Sequence, residues 1–335
     1  MCRRWQRIAF VTILLVSLIG CRGTDRSQSI LGSLQKVDEY PLYVMHFEGS
    51  YEGFRAEDGA QGEQTGTWLP ADRHWACSLF AALGDPRNSL FGRNFDWRYS
   101  PALLLYTDPP DGYASVTMVD ITYLGFEGIR AQQLIDLPLQ ERRQLLDAPR
   151  WPFDGMNEYG LAVGMAAVPS SSVPVDPEKP TIGSLQAIRE MLDHAKNVAE
   201  AIELVGGYNI DMSGGPPIHY LIADASGNAA LVEFVEGAMV VVPNVRAWHV
   251  ATNYLQSAAG AAVGGICDRY DKINTFLGNV NGKVSAQEAM MLLSSVAQNH
   301  TQWSVVYEMN TGDVNITMGM GGNSVHLFHL DLAAP

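Results

Sequence analysis

The chain has 335 residues, 47% hydrophobic and 17% charged, so it can bury a sizeable core in one large domain or two small ones. Its formal net charge of −14 argues against a nucleic-acid partner, because a phosphate backbone requires a basic surface. The sequence has no repeat of solenoid length and no cysteine–histidine cluster with zinc-ligand spacing. These features exclude a repeat protein, and we expect neither a metal ion nor a cofactor.

The first residues are typical of a targeting segment rather than of a fold. A start rich in arginine is followed over 8–19 by an apolar run that is too short for a comfortable membrane span. The run ends at Cys21 in a pattern similar to a bacterial lipoprotein signal, which is cleaved before the cysteine and lipidated on its sulfur. We predict a signal peptide over 1–20, a diacylglycerol anchor on Cys21 and an extracytoplasmic location in a bacterial cell envelope. An ordinary signal peptide or an uncleaved anchor is the alternative.

The next part of the chain predicts a tether and then strands. Residues 22–38 are polar and predict a flexible tether, 40–47 predict a strand, and 52–67 predict an exposed loop. Further strands are predicted over 77–80, 92–97, 102–107, 114–120, 161–168, 240–242, 248–252, 303–309, 314–318 and 325–330.

Helical blocks separate these runs of strands. One helix is predicted over 184–205, others over 268–277 and 285–295, and a hairpin joins 219–224 to 229–235. The third helix begins with a capping box, in which Ser285 and Glu288 bond each other's backbone. Because the elements show no regular βαβ alternation, the sequence predicts an α+β fold with antiparallel sheets.

The segment around Cys77 is the strongest candidate for a reactive site. Two strand-like runs joined by a turn over 84–88 predict a hairpin that brings Cys77 close to Arg93 and Asp96. A guanidinium stabilises negative charge on a sulfur, and a carboxylate can hold a protonated amine. The alternative is a buried structural cysteine with a surface salt bridge, and the hairpin alone leaves both interpretations open.

The cysteine count leaves one further alternative. Once the predicted signal is removed and Cys21 is lipidated, only Cys77 and Cys267 remain. An exported protein with two cysteines can form a disulfide. We predict instead two free thiols, of which Cys77 is reactive and Cys267 is packed.

From Cys77 to about residue 330 the chain resembles the choloylglycine hydrolase group of linear-amide C–N hydrolases. This group includes bile salt hydrolases, penicillin V acylases and, more distantly, acid ceramidase-like amidases. The landmarks follow the family's order: Cys77, Arg93 and Asp96 within 92–97, Asn157 at the start of 157–161, Asn253, and Arg269. The resemblance implies an N-terminal-nucleophile hydrolase with a four-layer αββα fold.

The resemblance also implies roles for these residues. Cys77 would attack an amide carbonyl, release the amine and leave an acyl-enzyme for water to clear. Asp96 would hold the α-amine of Cys77, which acts as the base, and Arg93 would lie beside the sulfur. Asn253 would donate to the oxyanion, and Arg269 would complete the polar network. Asn157 and Ala167 are weaker candidates for substrate or oxyanion contacts, and Asn157 is better explained as a turn residue.

Three departures from the family pattern limit this transfer. Cys77 is internal, so a free α-amine requires cleavage between Ala76 and Cys77. The chain would then divide into a lipidated tether and pro-segment over 21–76 and an amidase domain over 77–335. Ala167 occupies a position where bile salt hydrolases have an asparagine and penicillin acylases a tyrosine. The segment between Asn253 and Arg269 is short, so we do not expect the tetramer of bile salt hydrolases.

We therefore predict a self-processing cysteine amidase that acts on a small N-acyl amide. An acyltransferase of the same family is one alternative. The others are a papain-like cysteine protease with His74 or His249 as base, and a lipid-anchored binding protein without turnover. Leu79, Phe95 and Met165 could line an acyl pocket, but each is better explained as core. The sequence predicts neither the acyl group nor the amine.

Overall fold

The structure is a computed structural model that describes residues 20–51, 76–259, 266–320 and 324–334. Its strands, in chain order, are β1 Gln35–Asp38, β2 Leu42–Glu48, β3 Ser78–Ala82, β4 Leu90–Asp96, β5 Ala102–Asp108, β6 Ser115–Asp120, β7 Asp154–Asn157, β8 Ala162–Ala167, β9 Thr181–Gly183, β10 Asn209–Asp211, β11 Ile218–Ala223, β12 Ala229–Val235, β13 Ala238–Pro243, β14 Trp248–Ala251, β15 Thr301–Glu308, β16 Asp313–Met318 and β17 His326–His329.

The helices lie mainly between strands of different hairpins. They are α1 Gly20–Gly32, α2 Gly128–Gln132, α3 Ser184–His194, α4 Val198–Gly206, α5 Gln256–Ala259, α6 Asp268–Asn279 and α7 Ala286–Val296. Segments of 3₁₀ helix cover Ile121–Leu124, Leu134–Asp136 and Leu139–Arg150. Within the described residues, no helix is both long and apolar enough to cross a membrane.

Two large sheets form the centre of the fold. Among the described strands, sheet A has the order β1-β2-β5-β6-β7-β8-β11-β12-β13 and sheet B the order β14-β3-β4-β15-β16-β17. Neighbouring strands are antiparallel in both sheets, apart from the parallel pair of β2 and β5. The sheets pack face to face: a Cβ atom added at Gly164 of sheet A would lie 2.8 Å from the side chain of Leu79 in sheet B.

A helical layer covers the outer face of each sheet. Helices α3 and α4 pack on sheet A, while α6 and α7 pack on sheet B over a buried cluster that includes Phe80, Leu90 and Val306. Because apolar residues on both faces of both sheets need cover, the result is a four-layer αββα sandwich. The predicted α+β fold with this architecture is confirmed.

The predicted flexible tether over 22–38 is wrong in structural terms. Near the end of helix α1 the polar sequence contains an apolar pair, Ile30 and Leu31. This pair is buried against the outer face of sheet A and holds the helix there. Strand β1 follows and pairs with β2, which in turn pairs with β5. The segment that precedes Cys77 therefore supplies part of sheet A rather than a tether alone. The predicted loop over 52–67 lies outside the described residues.

The single helix predicted over 184–205 is two helices. Ala195 has an extended backbone after α3, and Asn197 caps α4 by accepting a hydrogen bond from the backbone N–H of Glu200. An Asn followed three residues later by Glu is a helix-start signal, so the break was readable from the sequence. The capping box of Ser285 and Glu288 at the start of α7 is confirmed.

The fold places the Cys77 hairpin where the two sheets meet. Strand β3 pairs with β4, which confirms the predicted hairpin, and the register sets Leu79 opposite Arg93. Strand β4 also pairs with β15, which sets Asp96 opposite Thr301. Sheet B therefore presents the ends of β3, β4 and β15 together, facing β7 and β8 of sheet A.

Candidate active site

Cys77 lies immediately before β3 and is buried, with 2% of its surface exposed. Nη2 of Arg93 lies 3.9 Å from its Sγ atom, so the hairpin brings a positive charge to the sulfur. Cys77 and Cys267 are both free thiols, which confirms the prediction of no disulfide between them. A buried sulfur beside a fixed guanidinium is suited to carry negative charge during nucleophilic attack.

The guanidinium of Arg93 is fully buried and is held by sheet A. It donates from Nη1 to the carbonyl oxygen of Phe153 at 2.8 Å and also to the carboxylate of Asp154. Burial alone would lower the pKa of Arg93, but the negative charge of Asp154 and the neighbouring Cys77 raise it. Arg93 therefore stays charged, and its position relative to sheet A is fixed.

Asp154 is a site residue that the sequence analysis missed. The sequence analysis gave Asp154 no role, whereas it begins β7 and is fully buried. Its carboxylate also accepts hydrogen bonds from the hydroxyl of Tyr307 and, at 3.4 Å, from the indole of Trp303. The signal was Arg93 itself, since an arginine in an apolar strand requires a buried acid partner.

Asp96 is fully buried at the end of β4. Its Oδ1 accepts from the hydroxyl of Thr301, while its Oδ2 has no hydrogen-bond partner among the described residues. Burial raises the pKa of Asp96 to about 7, although Thr301 and the charges of Arg269 and Arg93 lower it in part. Asp96 thus offers one unoccupied oxygen within the hairpin, and Thr301 is a second residue that the sequence analysis missed.

Arg269, in the first turn of α6, contacts the backbone on both sides of the predicted cleavage point. Its Nη1 donates to the carbonyl oxygen of Ala76 at 2.5 Å and also to the carbonyl oxygen of Cys77. The same nitrogen donates to the hydroxyl of Ser78 at 2.9 Å. The backbone N–H of Ala76 donates to the carbonyl oxygen of Asp96 at 3.3 Å. The bond between Ala76 and Cys77 is therefore held at both of its ends.

Asn253 and Ala167 join this network through Arg269. Nη2 of Arg269 donates to Oδ1 of Asn253 at 2.9 Å, and Nδ2 of Asn253 donates to the carbonyl oxygen of Ala167 at 2.8 Å. Ala167 ends β8, so Asn253 connects the end of a strand in sheet A to helix α6. The structure thus brings together all five predicted catalytic residues and Ala167; their roles stay predictions.

Asn157 does not join this network. Its Nδ2 donates to the carbonyl oxygens of Leu192 and Ala195, and its Oδ1 accepts from the backbone N–H groups of Tyr159 and Leu161. All its described hydrogen bonds therefore hold the turn after β7 and the end of α3. This agrees with the interpretation of Asn157 as a turn residue, and a substrate or oxyanion contact of Asn157 stays a prediction.

The remaining candidates are placed as follows. Leu79, Phe95 and Met165 are all buried in the core. His249 makes no described hydrogen bond with Cys77, and burial lowers the pKa of His249 to about 4. His74 lies outside the described residues.

Cys21 lies in the first turn of α1, and residues 1–19 of the predicted signal peptide are outside the described part of the chain. No group of three or more His, Cys, Asp or Glu side chains with metal-binding geometry occurs in that part.

Known structures share this fold. Penicillin V acylase from Agrobacterium tumefaciens is 18% identical, with a TM-score of 0.53, over 77% of this chain and 88% of its own. A mutant of conjugated bile acid hydrolase from Clostridium perfringens is 16% identical, with a TM-score of 0.56, over 76% of this chain and 92% of its own. Likeness at this level of identity is likeness of fold. No curated protein matches the chain.

The sequence itself matches a family model described as acyl-coenzyme A:6-aminopenicillanic acid acyl-transferase, over residues 152–321. This match spans half of the chain and includes Asn157, Ala167, Asn253 and Arg269. The predicted resemblance is confirmed at the level of the family, and the prediction of an enzyme agrees with it. The chain belongs to the acyl-coenzyme A:6-aminopenicillanic acid acyl-transferase family.

Proposed function

We propose that the protein is a self-processing cysteine amidase that cuts its own chain between Ala76 and Cys77. The new N-terminal cysteine then hydrolyses the linear amide bond of a small N-acyl substrate through an acyl-enzyme. The proposal draws on the family match and on the joint placement of Cys77, Arg93 and Asp96. It requires no metal ion or cofactor.

The contact between Arg269 and the carbonyl oxygen of Ala76 is the observation that carries this proposal. In self-cleavage, Sγ of Cys77 attacks the carbonyl carbon of Ala76, and negative charge develops on the oxygen that Arg269 already contacts. The C–N bond then breaks, the nitrogen of Cys77 takes up a proton, and a thioester joins Ala76 to the sulfur. Water hydrolyses this thioester to leave a carboxylate on Ala76, a free thiol and a free α-amine. A donor placed in advance at the oxyanion is the most effective electrostatic aid to such a step.

The unoccupied oxygen of Asp96 fits the group that this cleavage creates. Oδ2 is buried and has no described partner, and the backbone of Asp96 already accepts from the N–H of Ala76, the residue whose bond to Cys77 would be cut. An unperturbed α-amine has a pKa of roughly 7.7–8.0, so it can take the thiol proton near neutral pH. Asp96 would hold this amine, so the chain's own terminus serves as the general base.

Turnover of an external amide repeats the same chemistry. The sulfur attacks the substrate carbonyl, the C–N bond breaks, and the amine leaves with the proton that the α-amine of Cys77 accepted. Nδ2 of Asn253 would donate to the oxyanion in this step, while Arg93 stabilises charge on the sulfur. Water then attacks the thioester and restores the thiol.

The segment before the cleavage point would stay bound to the enzyme. Strand β2 pairs with β5 along its whole length, and its side chains Tyr43, Met45 and Phe47 are buried. The hydroxyl of Tyr43 also donates to the carbonyl oxygens of Ala131 and Gln132. We therefore propose that the N-terminal fragment, with a lipid on Cys21, holds the catalytic chain at a membrane outside the cytoplasm.

An acyltransferase is the second candidate, and the printed description of the matched family favours it. In that case a second amine, rather than water, attacks the thioester. The first half of the reaction is the same in both cases, so the acceptor alone decides between them.

Removal of the Arg269 guanidinium should slow self-cleavage. Loss of one oxyanion donor typically lowers a rate by about 10²–10³-fold. We expect this loss in Arg269→Met and a partial recovery in Arg269→Lys. Arg246→Met is the matched control, because Arg246 also contacts α6, through Asn274, away from Ala76. The fraction of cleaved chain is followed on gels after cell-free synthesis. Cleavage of Arg269→Met at the wild-type rate would remove the proposed role.

Amide turnover should depend on Cys77. The mature enzyme is assayed with p-nitroanilides of short, medium and long acyl groups, in water and with added 6-aminopenicillanic acid as acceptor. We expect release of p-nitroaniline and a transient acyl mass on the chain that contains Cys77, both lost in Cys77→Ala. Acylated 6-aminopenicillanic acid as the main product would favour the acyltransferase. Release that survives in Cys77→Ala contradicts a cysteine nucleophile.

The raised pKa of Asp96 should make the uncleaved chain less stable as the pH rises. The folded chain keeps the Asp96 proton up to pH about 7, whereas an unfolded aspartate titrates near about 3.9. The stabilisation from this group is therefore complete below about pH 4 and is lost as the pH rises through about 7.

In a Cys77→Ala background, Asp96→Asn should therefore raise the free energy of unfolding at about pH 8 by up to about 4 kcal/mol more than at about pH 4. Asparagine keeps an oxygen for Thr301 and has no charge to bury. Urea unfolding at both pH values measures the difference, with the exposed Asp111→Asn as control. A larger benefit at low pH would mean that the buried carboxylate is paired.

A further inference from the structure

Another buried carboxylate lies between the sheets, outside the Cys77 network. Glu233, in β12, is fully buried. Its Oε1 accepts from the backbone N–H of Gln256 at 2.8 Å, and its Oε2 accepts from the backbone N–H of Ser257 at 2.9 Å and from the hydroxyl of Ser257. One side chain thus binds two successive backbone N–H groups of a segment far away in the sequence.

His219 supports this carboxylate from the neighbouring strand. The register Tyr220↔Val232 makes His219 and Glu233 cross-strand neighbours on one face of sheet A. Nδ1 of His219 lies 3.2 Å from Oε1 of Glu233 and donates to it. Tyr220 reaches α3 on the opposite face, so this pair faces sheet B.

The charge on Glu233 is stable at neutral pH. Burial alone would raise the pKa of Glu233, but the hydrogen bonds from His219, Ser257 and Gln256 outweigh burial and lower it. His249 of sheet B also interacts electrostatically with Glu233, and burial lowers the pKa of His249 to about 4, so this ring is neutral. The backbone donors therefore meet a carboxylate and not a carboxylic acid.

These donors open helix α5, which directly follows the turn that carries Asn253. The turn spans 252–255, between the end of β14 and the start of α5, and Gln256 and Ser257 are the first two residues of α5. The far end of the turn is fixed where Glu233 holds the start of α5, and Nε2 of Gln256 donates back to the carbonyl oxygen of Val250 at 2.6 Å. Asn253 lies between these two anchor points, with its amide aligned toward Ala167 and Arg269.

We propose that Glu233, supported by His219, is a positioning residue that fixes the Asn253 turn and so sets the direction of the oxyanion donor. The catalytic part of this proposal rests on the proposed function, while the structural part does not. Glu233 does not touch the reacting atoms and acts through Asn253. Because an oriented donor loses much of its effect when it is misplaced by about 1 Å, a residue that holds the turn affects the rate.

Glu233→Gln is the sharpest test of the carboxylate. The side chain keeps its size, but its amide group would turn donors toward a backbone N–H that needs an acceptor. Asp224→Asn is the matched control. Asp224 is a buried carboxylate in the turn of the same hairpin that also accepts backbone N–H groups, including those of Ser226 and Asn228.

Hydrogen–deuterium exchange tests the structural part without any substrate. In Cys77→Ala, the amides of Gln256 and Ser257 should be protected. We expect Glu233→Gln to increase their exchange by at least about 10-fold, while Asp224→Asn leaves them unchanged. Equal exchange with and without Glu233→Gln would show that Glu233 does not hold these amides, whether or not the enzyme is active.

Steady-state kinetics on the best p-nitroanilide tests the catalytic part. We expect Glu233→Gln to lower kcat roughly 10²-fold with little change in KM. In an Asn253→Ala background the same substitution should cause little further loss, because the donor that it positions is absent. A full additional loss of kcat in that background would show a general structural role and overturn the assignment.

The two levels of the proposal fail separately. A wild-type chain that neither cleaves nor releases p-nitroaniline contradicts the proposed function, and the exchange data still decide whether Glu233 holds the turn. An active enzyme in which Glu233→Gln keeps its kcat contradicts the positioning role alone.

Discussion

The buried ion pair of Arg93 and Asp154 connects the two sheets at the point where the site forms. Arg93 comes from β4 of sheet B and Asp154 from β7 of sheet A, and both side chains are fully buried. Removal of one partner from such a pair typically costs about 3–5 kcal/mol, because the other charge is left without compensation. Tyr307 and Trp303 also donate hydrogen bonds to the carboxylate of Asp154. The direction of the guanidinium beside Cys77 therefore depends on the packing of sheet against sheet.

The other polar residues of the site are held in the same way, by elements that meet only in the folded chain. Arg269 lies in the first turn of a helix on the outer face of sheet B. Asn253 follows an edge strand of sheet B, and Ala167 ends a strand of sheet A. Their hydrogen bonds converge on the backbone around Cys77. Asp96 is the exception, since one of its buried oxygens has no described partner. This oxygen is free to accept a hydrogen bond from the amine that the proposed cleavage would create.

Much of the fold and several site residues could be predicted from the sequence, because local patterns specify hairpins and helix caps. The turn after Cys77 predicted the β3–β4 hairpin, and the hairpin fixes which residues of β4 approach the sulfur. The family landmarks then named Asn253 and Arg269, which no local pattern would have joined. Asp154, Thr301 and Glu233 were missed, because their partners lie on other elements: Asp154 contacts the opposite sheet, Thr301 a paired strand, and Glu233 the start of α5. Helix α1 was missed because its polar residues outweigh the apolar pair that docks it.

The N-terminal sequence and intact mass of the purified protein test the central claim most directly. The account predicts a chain that begins at Cys77, together with a bound N-terminal fragment that contains β2. The same preparation of Cys77→Ala should give a single chain that still includes Ala76. A wild-type protein that remains one chain through Ala76 and Cys77 would lack the α-amine base, and the proposed mechanism would be contradicted.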